Sequence, residues 1–190
     1  MERAVFGQTA EGKDVERLSF RNGRFHFSVI TYGAVLYSYG YDDVNIVLNH
    51  ATVHDYETMG GFLGAVVGPY ANRIAKSEFQ LDGKVYHLEA NNGRNNLHSG
   101  SVCFGKMLWT VEGVGESSVT LGLATPDGAG GFPGAHEIMI TYSLSADGTL
   151  TLSYSMTSTK KCPAALTNHA YFNLNGGVGT VMNHIVTVPA

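Results

Sequence analysis

Apolar and polar residues alternate along most of the chain, the pattern expected of strands that bury one face. The segment "EIMITYSL" places four residues on one face, Ile138, Ile140, Tyr142 and Leu144. After Asp147-Gly148, "LTLSYSM" repeats the period of two, so the pair predicts a β-hairpin. A tighter hairpin is predicted in "FQLDGKVYHL", where Asp82-Gly83 forms a two-residue loop.

Further strands are predicted in "RFHFSVITY" and "SSVTLGLA", whereas only "ATVHDYETMG" has the pattern of a short helical turn. We find no amphipathic helix of ordinary length and no alternation of strands with helices. The pattern therefore predicts an all-β protein, built as a large antiparallel β-sandwich. The ending "NHIVTVPA" predicts the start of one more strand, so we expect a sandwich that is incomplete at its C-terminal side. A second chain or an oligomer could then pair with its open edges.

Composition narrows the class of protein. A chain of 190 residues with 44% hydrophobic and 15% charged residues suits one globular domain over 1–190. A net charge of −4 and a pI near 6.0 disfavour nucleic acid and anionic membranes as partners. The N-terminus lacks an apolar signal segment, and Cys103 and Cys162 are expected to stay reduced. We therefore expect a cytoplasmic protein.

Polar clusters follow several predicted strands, in "GPYANRIAKSEF", "NNGRNNLHSG" and "LTNHAYFNLNG". Asparagine and arginine present several hydrogen-bonding groups in fixed planes, which suits the hydroxyl groups of a sugar. The C–H faces of a sugar favour an aromatic ring, for which Tyr171, Phe172 and Phe104 are candidates. Alternation along a strand sends Tyr171 and Phe172 to opposite faces, so at most one of them should face a ligand.

Five motifs in this order, "GxYANRI", "FxLDGKxYxL", "NNGxNxLHSG", "GFPG" and "LTNHAYFNLxG", resemble the aldose 1-epimerase (galactose mutarotase) family. The resemblance extends from about Gly33 to the C-terminus and implies a galactose mutarotase-like β-sandwich. It also implies that the chain interconverts the α and β anomers of free hexoses such as galactose and glucose, without a metal or an organic cofactor. The chain would correspond to the N-terminal half to two-thirds of the family's sequence.

The resemblance also assigns roles to four residues. His169, in "TNHAYF", would be the acid that protonates the ring oxygen, and His98, in "LHSG", would hydrogen-bond the sugar and orient it. Asn72 and Arg73, in "ANRI", match the family's hydroxyl-binding pair. Histidine suits this chemistry because its ordinary pKa lies near neutral pH.

The chain also departs from the family pattern. The family's general base is a glutamate in the last third of the chain, but no Asp or Glu follows His169 here. Glu137 and Asp127 are carboxylates in this chain that could replace the missing base, but the spacing of neither favours that role. Pro69 stands where arginine is usual, and this argues weakly against phosphorylated hexoses as substrates. Two rival interpretations therefore stay open: a non-catalytic sugar-binding module, and a fragment that lacks the base.

His50 and His54 have a spacing that could hold a metal ion if both lay on a helix. No third ligand with matching spacing is evident, so a solvent-exposed helix is the better interpretation. Trp109, in "KMLWTV", is predicted to lie in the core.

Overall fold

Two antiparallel sheets form the body of the molecule in the computed structural model, which describes residues 1–189. The strands are β1 (Glu2–Gln8), β2 (Asp14–Asn22), β3 (Phe25–Ile30), β4 (Val35–Tyr41), β5 (Val44–Asn45), β6 (Val66–Val67), β7 (Arg73–Ile74), β8 (Glu78–Leu81), β9 (Lys84–His87), β10 (Asn96–Leu97), β11 (Thr110–Val114), β12 (Ser118–Thr125), β13 (His136–Leu144), β14 (Leu150–Ser158) and β15 (Thr167–Asn168). The α-helix α1 spans Val53–Thr58, and 3₁₀ turns span Ala75–Ser77, Gly100–Val102, Phe104–Lys106 and Ala129–Gly131.

The sheets follow chain order. One is five-stranded, in the order β1-β2-β3-β4-β5, and the other is four-stranded, in the order β11-β12-β13-β14. The remaining strands form two-stranded ladders that pair β6 with β15, β7 with β10 and β8 with β9. The strand ladders are antiparallel, as the period of two predicts, and the β-sandwich is confirmed.

The core lies between the two sheets because each contributes its apolar face. Phe20 and Phe27 of the first sheet stack with their ring centroids 4.8 Å apart, and Tyr142 of the second sheet lies 6.4 Å from Phe27. The apolar face predicted for β13 is buried to 2% exposure or less at Ile138, Ile140, Tyr142 and Leu144. Each such side chain contributes about 1.5–3 kcal/mol by its removal from water.

Both predicted hairpins are present. β13 pairs with β14 in a register that places Ile140 opposite Tyr154. In the tighter hairpin, β8 pairs with β9, and Asp82 and Gly83 have φ of 49° and 78°. These are the left-handed conformations that a type I′ turn requires at both central positions.

The predicted helical turn is α1, which begins after the capping residue Thr52. The Oγ1 of Thr52 accepts from the backbone N–H of Asp55 at 3.2 Å, and the carboxylate of Asp55 accepts from the N–H of Thr52 at 3.1 Å. This capping box satisfies two N–H groups at the start of the helix. In residues 1–189, no helix is both long enough and apolar enough to cross a membrane.

Two further predictions, one of the core and one of a strand, have clear outcomes. Trp109 is buried as predicted, and its Nε1 donates to the carbonyl oxygen of Phe104 at 3.0 Å. The strand predicted in "NHIVTVPA" is wrong for residues 183–189, which form no strand. A strand requires a neighbour that pairs its N–H and C=O groups, and Ile185 is 94% exposed.

Candidate active site

The four site residues predicted from the sequence lie around one open cleft of about 490 Å³. Its lining consists of Ala71, Asn72, Arg73, His98, Thr167, Asn168, His169 and Ala170. Three polar segments that are far apart in the sequence therefore contribute to one concave surface. Such a surface, with a few convergent polar groups, is the usual form of a small-molecule site.

Short ladders bring these segments together. β7 pairs with β10, with Arg73 opposite Leu97, and just beyond it the N–H of His98 donates to the carbonyl oxygen of Asn72 at 2.9 Å. β15 pairs with β6, with Thr167 opposite Val67, and this leads directly to His169. His169 is held at both backbone groups: its N–H donates to Ala65 O at 2.8 Å and its carbonyl accepts from Gly64 N at 3.0 Å.

The imidazoles of His98 and His169 lie side by side, with ring centroids 5.3 Å apart and an interplanar angle of 80°. Phe62 packs against both, at centroid distances of 5.1 Å from His98 and 6.1 Å from His169. Tyr171 lies 5.1 Å from His169. Both histidines are half-buried. Each ring packs against an aromatic neighbour on one side and lines the cleft on the other.

The hydrogen bond at His98 determines its tautomer. The backbone N–H of Asn72 donates to Nδ1 of His98 at 3.1 Å, so the proton of the neutral ring is on Nε2. Burial lowers the pKa of His98, and the neighbouring His169 and Arg73 lower it further. His98 is thereby kept as a neutral ring whose Nε2–H can donate to an oxygen atom of a ligand.

Arg73 and Asn72 are coupled to each other. Nη1 of Arg73 donates to Oδ1 of Asn72 at 3.1 Å, and its Nε donates to Oδ1 of Asn92 at 3.1 Å. A guanidinium carries five N–H donors, so these two bonds fix its plane and leave others for a ligand. Both side chains are exposed, which makes those donors accessible.

Several non-glycine residues at the site have left-handed backbone conformations. The φ angles are 52° for Phe62, 64° for Asn72, 52° for His98 and 66° for Ser99. Such conformations cost about 1–3 kcal/mol each and cluster at functional sites. Ser99 supports this strained turn, because its Oγ accepts from Tyr70 N at 2.9 Å and donates to Tyr70 O at 3.1 Å.

Other predicted candidates lie elsewhere. Phe104 was a candidate for a sugar-facing aromatic, but it is 1% exposed because it packs in the core against Trp109. Tyr171 and Phe172 are 40% and 52% exposed, and of the two it is Tyr171 that contacts His169. Phe172 is in a backbone bridge with Val47.

Neither substitute base lies at the cleft. Glu137 is exposed on the outer side of β13, and Asp127 forms an ion pair with Lys160. His50 and His54 do not share a helix, since α1 begins at Val53 and His50 packs against Tyr56. Within residues 1–189, no group of three His, Cys, Asp or Glu side chains could hold a metal ion.

The sequence did not suggest Phe62 as a contact of the site, and it did not specify which groups the side chain of Asn168 contacts. Phe62 lies in the glycine-rich "GGFLG", which has no periodicity. The ammonium group of Lys106 lies over its ring, 5.7 Å from the centroid. Asn168 precedes His169, so its proximity was evident from the sequence, but its contacts depend on residues about 100 positions away.

Comparison with known proteins identifies related chains. The family model described as aldose 1-epimerase matches residues 16–190. The galactose mutarotase of Sus scrofa is 37% identical over 99% of this chain and 56% of its own length. The aldose 1-epimerase of Escherichia coli (strain K12) is 38% identical over 76% of this chain and 42% of its own. The chain thus spans about half the length of the relatives it matches.

A solved structure has a similar fold. The galactose 1-epimerase from Lactobacillus acidophilus NCFM superposes with a TM-score of 0.83 at 25% identity. The superposition covers 91% of this chain and 53% of that one. The GalM/aldose epimerase homologue from C. elegans gives a TM-score of 0.80 at 30% identity, over 84% of this chain and 51% of that one.

Proposed function

Because the chain belongs to the aldose 1-epimerase family, we propose that its cleft binds a free hexose and takes part in interconverting its α and β anomers. Galactose is the first candidate, because relatives at 36–37% identity over 99% of the chain bear the name galactose mutarotase. The observation that carries the proposal is the pair of imidazoles 5.3 Å apart beside Asn72 and Arg73.

The chemistry requires one acid and one base. His169 donates a proton to the ring oxygen while a base removes the proton of the C1 hydroxyl, so the C1–ring-oxygen bond breaks and an open-chain aldehyde forms. Rotation about C1–C2 presents the other face of the carbonyl, and the reverse proton transfers close the ring as the other anomer. An imidazole suits the acid role because the side chain exchanges protons near neutral pH.

The other cleft residues hold the sugar. His98, neutral and protonated on Nε2, donates to a sugar oxygen and does not compete with His169 for the acid role. Arg73 and Asn72 bind hydroxyl groups through their N–H donors. The hydrogen bond between the two side chains fixes the planes in which these donors lie. Tyr171 contacts His169 and is partly exposed, so it can cover a C–H face of the sugar.

The base is the part of the mechanism that this cleft lacks. The lining residues that the structure describes include no carboxylate. This favours a second candidate function for the 190-residue chain taken alone: binding of a free hexose without turnover. In either case Arg73 is the one side chain of the described lining with a permanent positive charge, and its remaining N–H groups can bind sugar hydroxyls.

The test is polarimetry with freshly dissolved α-D-galactose and α-D-glucose. The wild-type chain, the His169→Asn variant and a His54→Asn control are compared with a buffer blank. His54 is exposed on α1 and provides the same substitution outside the cleft. Catalysis is supported if the wild type and the control accelerate mutarotation and His169→Asn does not.

Equal acceleration by His169→Asn and the wild type would contradict the role of His169. If the folded wild-type chain produces no acceleration, catalysis by this chain is rejected. Galactose binding that depends on His98 and Arg73 would then establish the second candidate.

A further inference from the structure

The side chain of Asn168 links the residue that follows His169 to the loop at Gly64. Its Nδ2 donates to the carbonyl oxygen of Gly64 at 2.7 Å, and its Oδ1 accepts from the N–H of Ala170 at 3.0 Å. Gly64 is also the residue whose N–H holds the carbonyl of His169. One amide therefore fixes the residue after His169 to the loop that pairs with it.

The anchor at Gly64 is rigid. Its carbonyl accepts a second hydrogen bond from Leu36 N at 2.8 Å, so it is tied to strand β4. Gly64 has φ of +68°, and a Cβ at this position would lie 2.3 Å from the carbonyl oxygen of Leu36. The close approach leaves little freedom for the Gly64 backbone, and hence for the Asn168 amide bound to it.

Tyr142 supports the same amide from the core. It is fully buried on β13, its hydroxyl donates to Ala34 O at 2.7 Å, and the hydroxyl accepts from Nδ2 of Asn168 at 3.3 Å. Burial raises the pKa of Tyr142, so the hydroxyl keeps its proton and remains a donor. The buried hydroxyl thus has a partner on each side, Ala34 and Asn168, and loss of either would leave a buried polar group less well satisfied.

We propose that Asn168 and Tyr142 are positioning residues that set the orientation of the His169 ring in the cleft. The proposal rests on the role of His169 given above and deepens it. Each hydrogen bond made by the Asn168 amide goes to the His169 segment, to the loop that pairs with it, or to Tyr142. The network therefore links the core sheet to the backbone that carries the His169 ring, and a displacement of about 1 Å at a catalytic group can lower a rate about 100-fold.

Two substitutions test the network, each with a matched control. Asn168→Ala removes all three hydrogen bonds of the amide, and Tyr142→Phe removes a single oxygen from the core. The controls are Asn175→Ala, at an exposed asparagine seven positions further along, and Tyr154→Phe, on the strand adjacent to Tyr142. The Asn168→Ala/Tyr142→Phe double variant completes a double-mutant cycle. If the two residues act in one network, the effects of the single substitutions should not add up in the double variant.

The first readout does not need turnover. The ¹H–¹³C imidazole signals of His169 should shift in Asn168→Ala and Tyr142→Phe, while those of His54 and His87 keep their positions. Both controls should leave the His169 signals unchanged. The second readout is kinetic: in a preparation that accelerates mutarotation, Asn168→Ala should lower kcat about 10-fold with KM changed less than twofold.

Unfolding curves separate positioning from a purely structural role. The proposal is overturned if both variants lose stability while the His169 signals and kcat of the folded protein stay at wild-type values. If Asn168→Ala does not fold, Tyr142→Phe decides by the same two readouts. If the chain produces no mutarotation, the proposal that it is catalytic is rejected. If the His169 signals are unchanged in the variants, the proposal that Asn168 and Tyr142 position His169 is rejected.

Discussion

Replacement of Gly64 by alanine should be among the most damaging single-methyl changes in the chain. Gly64 has φ of +68°, and an added Cβ would lie 2.3 Å from the carbonyl oxygen of Leu36 and 3.1 Å from its carbonyl carbon. The obstructing atoms are backbone atoms of β4, which pairs with β3 and β5, so they cannot move aside as a flexible side chain can. Glycine is the residue that this conformation and this close contact both require.

The magnitude has two parts. The left-handed conformation costs an L-residue about 1–2 kcal/mol, and forcing a methyl group into a packed interior costs about 1–3 kcal/mol. Together they give a loss of about 2–5 kcal/mol. With an m-value of about 2 kcal/mol/M, the urea midpoint should fall by about 1–2.5 M.

The control is Gly12→Ala. Gly12 has φ of +77°, but nothing lies within 4 Å of its added Cβ, so only the backbone part of the cost applies. Equilibrium urea unfolding, followed by tryptophan fluorescence and circular dichroism, compares both variants with wild type. A larger loss for Gly64→Ala than for Gly12→Ala supports the steric argument. Equal losses would refute it, because the contact with Leu36 would then contribute nothing.

Two further expectations concern the core and pH. Ile140→Ala, at a residue with 0% exposure, should lower the free energy of unfolding by about 2–5 kcal/mol in urea unfolding. Met139→Ala, at its 49% exposed neighbour, should change it by no more than about 0.5 kcal/mol. Similar losses for the two variants would contradict the assignment of the inner and outer faces of β13. Burial is the main cause of the lowered pKa values of His98 and His26, so the unfolded chain binds protons that the folded chain does not. The free energy of unfolding should therefore fall as pH drops through 6.5 toward the lower folded values, and His98→Gln should reduce that slope; an unchanged slope would exclude His98 as a contributor.

The elements that the sequence predicted well are those with local causes. The β8–β9 hairpin depends on Asp82-Gly83 and on adjacent residues, and the β13–β14 hairpin depends on a period of two that continues through both strands. Burial of Ile140 follows from its apolar side chain on the inner face of such a strand, and Trp109, just before β11, is buried as a large aromatic residue is expected to be. For these elements, turn chemistry, alternation and packing lead to one structure.

The elements that the sequence did not predict depend on distant partners. β6 and β15 are two residues long and about 100 positions apart, so neither has a recognisable period, yet their pairing places His169 in the cleft. Phe62 has no pattern of its own and is identified only by its contacts with His98 and His169. Phe104 shows the opposite case, since it was a candidate for contact with a sugar but packs in the core against Trp109.

The site residues themselves came from motif order, and the cleft contains all four of them: Asn72, Arg73, His98 and His169. What the motifs could not specify is the atomic arrangement. The tautomer of His98 depends on the backbone N–H of Asn72, which β7–β10 pairing brings to Nδ1. The support of His169 depends on Asn168, which joins it to Gly64.

Galactose titration of the 190-residue chain, followed through its imidazole signals, tests the central claim most directly. The chain has eight histidines, which His→Asn variants assign one by one. We expect galactose to shift the signals of His98 and His169, to leave those of His54 and His87 in place, and to bind more weakly to an Arg73→Ala variant. A folded chain whose His98 and His169 signals do not respond to saturating galactose would contradict the assignment of this cleft as the hexose site.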